Sequence, residues 1–203
     1  MALAGLLLIG THEVIGRTRR FVLLAVVLLV LTGLILASAA VRLDLYQGAY
    51  GWTELRFFVV ASIAWLAACT VLALGALVLD RMRWLPHGLA MSAAAVTLAV
   101  SAIGPQAFVM HQNVARAADP SLVAPGGHPG LDIAYGMSLG DDAIPDLVAA
   151  LAFAPAPERA VLEAQLLERR AALEADAATA GPLSWNLARE RARSVLAQLA
   201  AAQ

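Results

Sequence analysis

Three long runs of apolar residues dominate the first half of the chain, and none of them contains a formal charge. They cover residues 21–41, 57–79 and 88–110. At about 1.5 Å per residue, each run would form a helix roughly 31–35 Å long, enough to cross a hydrocarbon core of about 30 Å. The pattern predicts three transmembrane helices in a membrane domain of residues 21–110, preceded by a short segment of residues 1–20.

The first run could instead be a signal peptide, because arginines precede it and the small-residue sequence Ala37-Ser38-Ala39 ends it. Cleavage would then fall within residues 37–40. A signal peptide, however, has an apolar stretch of only about 7–15 residues. The run here is longer, and its arginine cluster begins only at Arg17. The sequence therefore favours an uncleaved helix.

A polar and aromatic corner separates the first two runs. Residues 42–56 are predicted to form an interfacial loop, because Tyr50 and Trp52 suit the level of the lipid head groups. Glu54 and Arg56 stand at the mouth of the second helix. Either they contact a head group, an anionic ligand or the tail, or Arg56 reaches the lipid phosphates and simply orients the helix.

Local signals also mark the helix ends. Thr53 is placed to cap the second helix. The third run is rich in Ala, Ser and Gly, which permit close helix approach, so one face is expected to pack on protein. The Gly104-Pro105 pair should bend its last turns.

Turn-forming residues divide the second half, residues 111–203, into short helical segments. The predicted segments are a continuation of the third helix over 111–118, a loop over 119–130, a short helix over 131–139, a helix capped by Asp141 or Asp142 and ending near Phe153, a helix over about 156–178, and a last helix capped by Ser184. The apolar stripes of the last two helices are Val161, Leu162, Leu166 and Leu173, and then Trp185, Ala188, Ala192, Val195, Leu196 and Leu199. Helices joined by short breaks predict a small antiparallel bundle.

Charge orients the predicted helices. The net charge is -1, so no basic surface indicates nucleic-acid binding. The arginines before the first run and those at Arg81 and Arg83 fall on one side of a three-helix topology, which the positive-inside rule assigns to the cytoplasm. Residues 111–203, with 7 Arg against 11 acidic residues, are then expected outside the cytoplasm. The predicted location is the bacterial inner membrane, with a cytoplasmic N-terminus.

Side chains that could bind a metal follow the third run. They are His111, Asn113, Arg116 and Asp119, with His128 and Asp132 further along. Their spacing matches no ligand pattern. Asp141, Asp142 and Asp146 suit a helix start, where the helix dipole favours negative charge, better than a catalytic pair. Cys69 has no partner for an internal disulfide. The sequence therefore predicts no catalytic residue, metal or cofactor.

Four short motifs carry a family resemblance. They are the corner Tyr50-Gly51-Trp52-Thr53-Glu54-Leu55-Arg56, Asn113-Val114-Ala115-Arg116, Leu131-Asp132-Ile133-Ala134-Tyr135 and Ser184-Trp185-Asn186-Leu187. In this order the chain resembles the C-terminal part of the uncharacterised bacterial membrane-protein family domain of unknown function 4173. The resemblance implies a helical membrane fold and no catalytic residue. It also implies either a shortened relative or a piece of a longer product.

These observations predict an all-α integral membrane protein with three transmembrane helices and a small extracytoplasmic helical bundle. The predicted function is a non-catalytic accessory or scaffold subunit of a membrane complex, whose partners are lipids and other membrane subunits. The alternatives are the C-terminal part of a transporter, or an envelope sensor or enzyme acting through His111, Arg116 and Asp132. The residues expected to contact a partner or head group are Tyr50, Trp52, Glu54, Arg56, Asn113, Arg116 and Trp185.

Overall fold

The structure is a computed structural model that describes residues 18–179, 181 and 184–201. These residues form α-helices and short 3-10 turns, with no strand among them, so the predicted all-helical fold class is confirmed. The helices are α1 (Arg19–Tyr50), α2 (Glu54–Val78), α3 (Leu85–Ile103), α4 (Pro105–Ala118), α5 (Ile133–Ser138), α6 (Ile144–Ala150), α7 (Ala156–Thr179) and α8 (Leu187–Ala201). Residues 1–17 of the predicted segment 1–20, and Pro182 of the predicted break at Gly181-Pro182, lie outside the described residues.

Contacts within the chain divide it into two compact units. The first contains the described residues up to Tyr46 together with Leu55–Ala102, and the second contains Gln47–Glu54 together with the described residues from Ile103 onward. The corner between α1 and α2 therefore belongs to the same unit as the C-terminal helices. A division by composition alone, at residue 110, does not capture this grouping.

The first unit holds all but the end residues of the three helices that are long and apolar enough to cross a membrane, as predicted. The spans are Arg19–Tyr50, Glu54–Val78 and Met82–Ile103, the last including a 3-10 turn before α3. A small core joins them, formed by Ala25, Leu29, Ala73, Leu77, Met82 and Leu85. In addition, the Trp65 indole N–H donates to the Ser92 hydroxyl at 3.2 Å, which links α2 to α3.

Helix α1 extends nine residues beyond the C-terminal end of the first predicted span, residues 21–41. The predicted loop over 42–56 is mostly helical, and only residues 51–53 are non-helical between α1 and α2. Gly51 ends α1 at a positive φ of 77°, a conformation that glycine adopts without a steric penalty. Since α2 begins at Glu54, Thr53 does occupy the predicted capping position.

The third apolar run is split, not merely bent. Helix α3 ends at Ile103, Gly104 takes a left-handed conformation (φ 68°), and α4 starts at Pro105. Pro105 lacks a backbone N–H and disfavours the helical region for the residue before it. As the first residue of a new helix, Pro105 costs nothing, because that N–H would have no helical partner. Residues 104–110 accordingly belong to the second unit.

The second unit is a helical bundle built from α4, α6, α7 and α8, as predicted. The apolar side chains facing its interior include Val109, Met110, Ile144, Leu147, Leu162, Leu166, Leu173 and Leu196. The short helix expected over 131–139 is present as α5, and the helix expected over 156–178 is present as α7. Gly136 of α5 packs so closely that an added Cβ would lie 3.0 Å from side-chain atoms of Leu147 and Met110.

Three local predictions in this unit are wrong. Neither Asp141 nor Asp142 caps the helix, and the Asp141 carboxylate instead accepts two hydrogen bonds from Arg169 of α7, at 2.6 and 2.9 Å. Asn186, not Ser184, caps α8, since its side-chain oxygen accepts the Arg189 N–H at 3.2 Å. Trp185 therefore precedes the helix, and it is exposed instead of lying on the buried stripe.

One residue assigned to the buried apolar stripe of α7 is also wrongly predicted. Val161 on α7 is exposed, while Leu162, Leu166 and Leu173 are fully buried. Along a helix, Leu162 and Leu166 are four residues apart and share a face, whereas Val161 lies one residue off that face.

Candidate functional site

The C-terminal end of α1 is closed by groups from the second half of the chain. The Arg116 guanidinium donates to the Gln47 carbonyl, and the backbone N–H groups of Ala124 and His128 donate to the carbonyls of Gly48 and Ala49 at 2.9 and 3.0 Å. The last carbonyls of a helix have no partner within the helix. Here, a buried cation on α4 and the loop after it supply those partners. The positive charge of Arg116 also complements the negative end of the α1 dipole.

Asn113 pairs with the backbone of the corner. Its side-chain oxygen accepts the Trp52 N–H at 2.7 Å, and its side-chain nitrogen donates to the Trp52 carbonyl at 2.9 Å. Gly51 allows this approach, because a Cβ at that position would lie 2.8 Å from the Asn113 oxygen. The Trp52 ring in turn packs edge-on against Phe108, with ring centroids 5.0 Å apart. The corner is thus held on α4 by two hydrogen bonds to the Trp52 backbone and by the packing of the Trp52 ring.

Tyr135 holds the start of α2. The hydroxyl oxygen of Tyr135 accepts the Glu54 N–H at 2.9 Å, so it satisfies one of the unpaired donors at the N-terminus of that helix. Tyr135 is itself positioned by Asp132, which caps α5 by accepting the Tyr135 N–H at 2.9 Å. The Leu-Asp-x-x-Tyr motif therefore supplies a helix cap and a long-range hydrogen bond from a single turn.

These contacts surround a pocket of about 190 Å³, which we call the corner pocket. Its walls are formed by Tyr50, Gly51, Trp52, Thr53, Asn113, Arg116, His128, Pro129, Gly130, Asp132 and Tyr135. Three of the four motifs identified in the sequence meet here, although they lie up to 85 residues apart. The lining combines one guanidinium, one carboxylate, an amide and several aromatic rings, which suits a small polar ligand better than an apolar one.

The predicted contact residues are distributed unevenly around this pocket. Tyr50, Trp52, Asn113 and Arg116 line it. Glu54 contributes its backbone N–H to Tyr135. Arg56 lies in the first unit and is half-buried, and Trp185 lies away from the pocket in the exposed segment before α8.

The sequence assigned no separate role to Tyr135 and suggested His128 only as a metal donor. It suggested Asp132 as a metal donor or, with His111 and Arg116, as part of an envelope sensor or enzyme. In the structure, the His128 ring lies 5.9 Å from the Tyr50 ring, and Asp132 is a helix cap. The available clue was the Asp132–Tyr135 spacing, since an aspartate three residues before a helical residue is a common capping pattern. His111, by contrast, faces Asp146 of α6 at 3.0 Å and does not line the pocket.

No group of three or more His, Cys, Asp or Glu side chains is placed to hold a metal ion within residues 18–179, 181 and 184–201. Asp119, which the sequence offered as a further donor, caps the 3-10 turn Pro120–Leu122 by accepting the Ser121 N–H at 3.0 Å. Hydrogen bonds from the side chain and backbone of Ser121 hold the pKa of Asp119 below its ordinary value of 3.8.

A second pocket adjoins the first across Pro129 and Gly130, which line both. It measures about 260 Å³ and is mainly apolar; we call it the apolar pocket. Its other walls are Ala117, Leu131, Ile133, Phe153, Ala154, Pro155, Glu158 and Leu162. A polar and an apolar pocket thus share a wall in the second unit.

Three membrane-capable helices and a helical second unit are the features of an α-helical membrane protein. The chain belongs to the family described as Domain of unknown function (DUF4153), whose model matches residues 1–150. That region contains every residue of the corner pocket but not the Trp185 motif. The more specific resemblance to domain of unknown function 4173 is not confirmed by this match. No curated protein and no solved structure matches the chain.

Proposed function

We propose that the protein is a non-catalytic accessory or scaffold subunit of a bacterial inner-membrane complex. In this role, its three spans pack against other membrane subunits, and its second unit provides a contact surface outside the cytoplasm. The corner residues Tyr50, Trp52, Asn113 and Arg116 serve to hold that unit together next to the lipid head groups.

The observation that carries this proposal is the small buried fraction of the spans. We consider the most apolar stretch of each span. The share of it that is buried inside the chain is 11% for Arg19–Tyr50, 17% for Glu54–Val78 and 0% for Met82–Ile103. The last of these contains α3, whose small residues favour helix–helix contact over lipid contact. An exposed helix of this composition suits a protein partner in the membrane.

The hydrogen bonds of the corner support a structural role for its polar residues. Both polar atoms of the Asn113 side chain bind the Trp52 backbone, and the Tyr135 hydroxyl binds the Glu54 N–H. Groups engaged in this way stabilise the fold, whereas a catalytic group must be available to a reacting atom.

The proposed orientation rests on arginine placement and on the contacts of the second unit. Gln47–Glu54 covers the end of the first span and the corner before the second, and it packs in one unit with the residues after the third span. Two spans, the second and the third, separate these parts of the chain, so a three-span topology puts both on the same side of the membrane. The positive-inside rule makes that side extracytoplasmic.

Purification of the tagged full-length protein from native membranes in a mild detergent tests the subunit role. We expect it to elute with larger membrane proteins that mass spectrometry identifies. Leucines at two exposed positions one turn apart on α3, Ala95→Leu with Ala99→Leu, should reduce that co-elution. The control variant Ala37→Leu, at an exposed position of α1, should leave the co-elution unchanged. A wild-type protein that elutes as a lone monomer would refute the proposal.

Cysteine labelling tests the orientation. In a Cys69→Ala background, Ala172→Cys places a thiol at an exposed position of α7, and Arg83→Cys places one in the exposed turn before α3. A membrane-impermeant maleimide should label Ala172→Cys in intact spheroplasts and Arg83→Cys only after lysis. The reverse pattern would overturn the orientation.

A further inference from the structure

We propose that the corner pocket binds the head group of a zwitterionic phospholipid that carries a phosphate and a primary amine, and that the apolar pocket accommodates part of one acyl chain. This inference goes beyond the subunit role, because a lipid could bind at this position whether or not the chain has protein partners.

The charges that line the corner pocket match such a head group. Arg116 supplies a guanidinium that is 7% exposed, and Asp132 supplies an exposed carboxylate. The terminal nitrogens of Arg116 donate to the Gln47 and His128 carbonyls, so its guanidinium attracts a phosphate chiefly through its positive charge. Carboxylates accept hydrogen bonds from ammonium groups. One group of each sign favours a ligand that also carries one charge of each sign over a purely anionic one.

The aromatic residues of the pocket fit the amine as well. Tyr50, Trp52 and Tyr135 all line it. Ammonium groups are attracted to the faces of such rings, and Tyr and Trp are enriched at the head-group level of membranes. Two of these side chains are restrained, Trp52 by the Phe108 ring and Tyr135 by its hydrogen bond to the Glu54 N–H, so part of the wall is pre-formed.

The position of the corner along the chain places it at the depth of the lipid head groups. Helix α2 begins at Glu54, and its uninterrupted apolar run begins at Phe57. At about 1.5 Å per residue, these three residues correspond to roughly 5 Å, which is within the head-group layer next to the hydrocarbon core. Residues 51–53 directly precede α2 in the chain, so they lie at the level of the head-group layer.

The apolar pocket supplies a place for the chain of the same molecule. It shares Pro129 and Gly130 with the corner pocket, and Leu131, Ile133 and Phe153 are among its other walls. For a short-chain lipid dispersed in water, each methylene group transferred to such a surface should improve affinity about fourfold. A molecule with both parts is therefore favoured over the free head group.

The test uses the purified full-length protein, delipidated in a mild detergent and examined by native mass spectrometry. The probes are dihexanoyl phosphatidylethanolamine, dihexanoyl phosphatidylglycerol and free phosphoethanolamine. We expect a one-to-one adduct with dihexanoyl phosphatidylethanolamine that is at least tenfold more abundant than the adduct with either of the other probes. Equal adducts with both lipids would overturn the zwitterion assignment, and equal binding of free phosphoethanolamine would overturn the assignment to a lipid.

Asp132→Asn is the decisive variant, because asparagine caps helices as well as aspartate does and only the negative charge is removed. We expect its preference for the ethanolamine lipid over the glycerol lipid to disappear, with an unchanged melting temperature. The matched control is Asp119→Asn, a second capping aspartate that lies outside the pocket, which should keep the preference. If Asp132→Asn retains the preference, the amine does not bind at this site and the proposal fails.

Discussion

Replacing Asn113 by alanine should loosen the corner that joins α1 to α2. The substitution removes both hydrogen bonds to the Trp52 backbone, at 2.7 and 2.9 Å. A typical intramolecular hydrogen bond contributes about 0.5–1.5 kcal/mol, and a backbone group left without a partner costs more if water cannot reach it. Both residues are half-buried, so water can replace part of the loss. We expect the free energy of unfolding to fall by about 2 kcal/mol in total.

Circular dichroism at 222 nm in detergent measures the loss of stability of the whole protein, and hydrogen exchange measures the loss at the corner itself. For a chain of this size, 1 kcal/mol shifts the melting temperature by about 2–4 °C, so Asn113→Ala should melt roughly 4–8 °C below wild type. A peptide spanning residues 50–54 should exchange its amide hydrogens faster, because the Trp52 N–H loses its acceptor. Peptides from α7 should exchange at the wild-type rate, since no Asn113 hydrogen bond reaches that helix.

Two further variants make the result specific. Asn113→Asp keeps an acceptor for the Trp52 N–H but sets a carboxylate oxygen against the Trp52 carbonyl, so it should not restore stability. Gln112→Ala, the neighbouring residue on α4, should change the stability by no more than about 0.5 kcal/mol. The reasoning is refuted if Asn113→Ala melts within 1 °C of wild type and its corner peptide exchanges at an unchanged rate.

Three further predictions concern other contacts of the second unit. Asp141→Asn should lower the unfolding free energy by about 1–2 kcal/mol, because it weakens two hydrogen bonds from Arg169 to a carboxylate that is 14% exposed. Gly127→Ala should lower the melting temperature by several degrees, because its Cβ would lie 2.7 Å from the Ala49 carbonyl and displace the loop that closes α1. Asp119→Ala should destabilise the protein at pH 7. Because the folded state lowers the pKa of Asp119, its contribution is present above the unfolded value of 3.8 and is lost as the pH falls through the lower folded value.

Each of these predictions has a control and an outcome that contradicts it. Glu174→Gln removes an ion pair whose carboxylate is 61% exposed, and it should cost a few tenths of a kcal/mol. A cost equal to that of Asp141→Asn would show that burial of the carboxylate is unimportant. Gly130→Ala, whose Cβ meets no atom within 4 Å, should melt as wild type does, unlike Gly127→Ala. For Asp119→Ala, a difference from wild type that persists unchanged at pH 2 would contradict the assigned role of the carboxylate.

Some of the candidate site could be recognised from the sequence. Tyr50 and Trp52 stood out as aromatic residues at the end of an apolar run, and Asn113 and Arg116 stood out as polar residues just after another. Each of those patterns is local. That all four line one pocket with the Tyr135 hydroxyl was not predictable, because it depends on how the chain folds back between residues 56 and 113. For the same reason, Asp141 was assigned to the helix beside it, and not to Arg169.

The amino-acid order alone shows which segments are apolar enough to span a membrane and where proline and glycine interrupt them. These properties depend on composition within about 20 residues, since the cost of moving charges into hydrocarbon excludes them from any spanning run. The extension of α1 to Tyr50, by contrast, depends on long-range contacts. Its last carbonyls require donors, and those donors, Arg116, Ala124 and His128, lie some 70–80 residues further along the chain. Hydrogen bonds over such separations become visible only once the path of the chain is known.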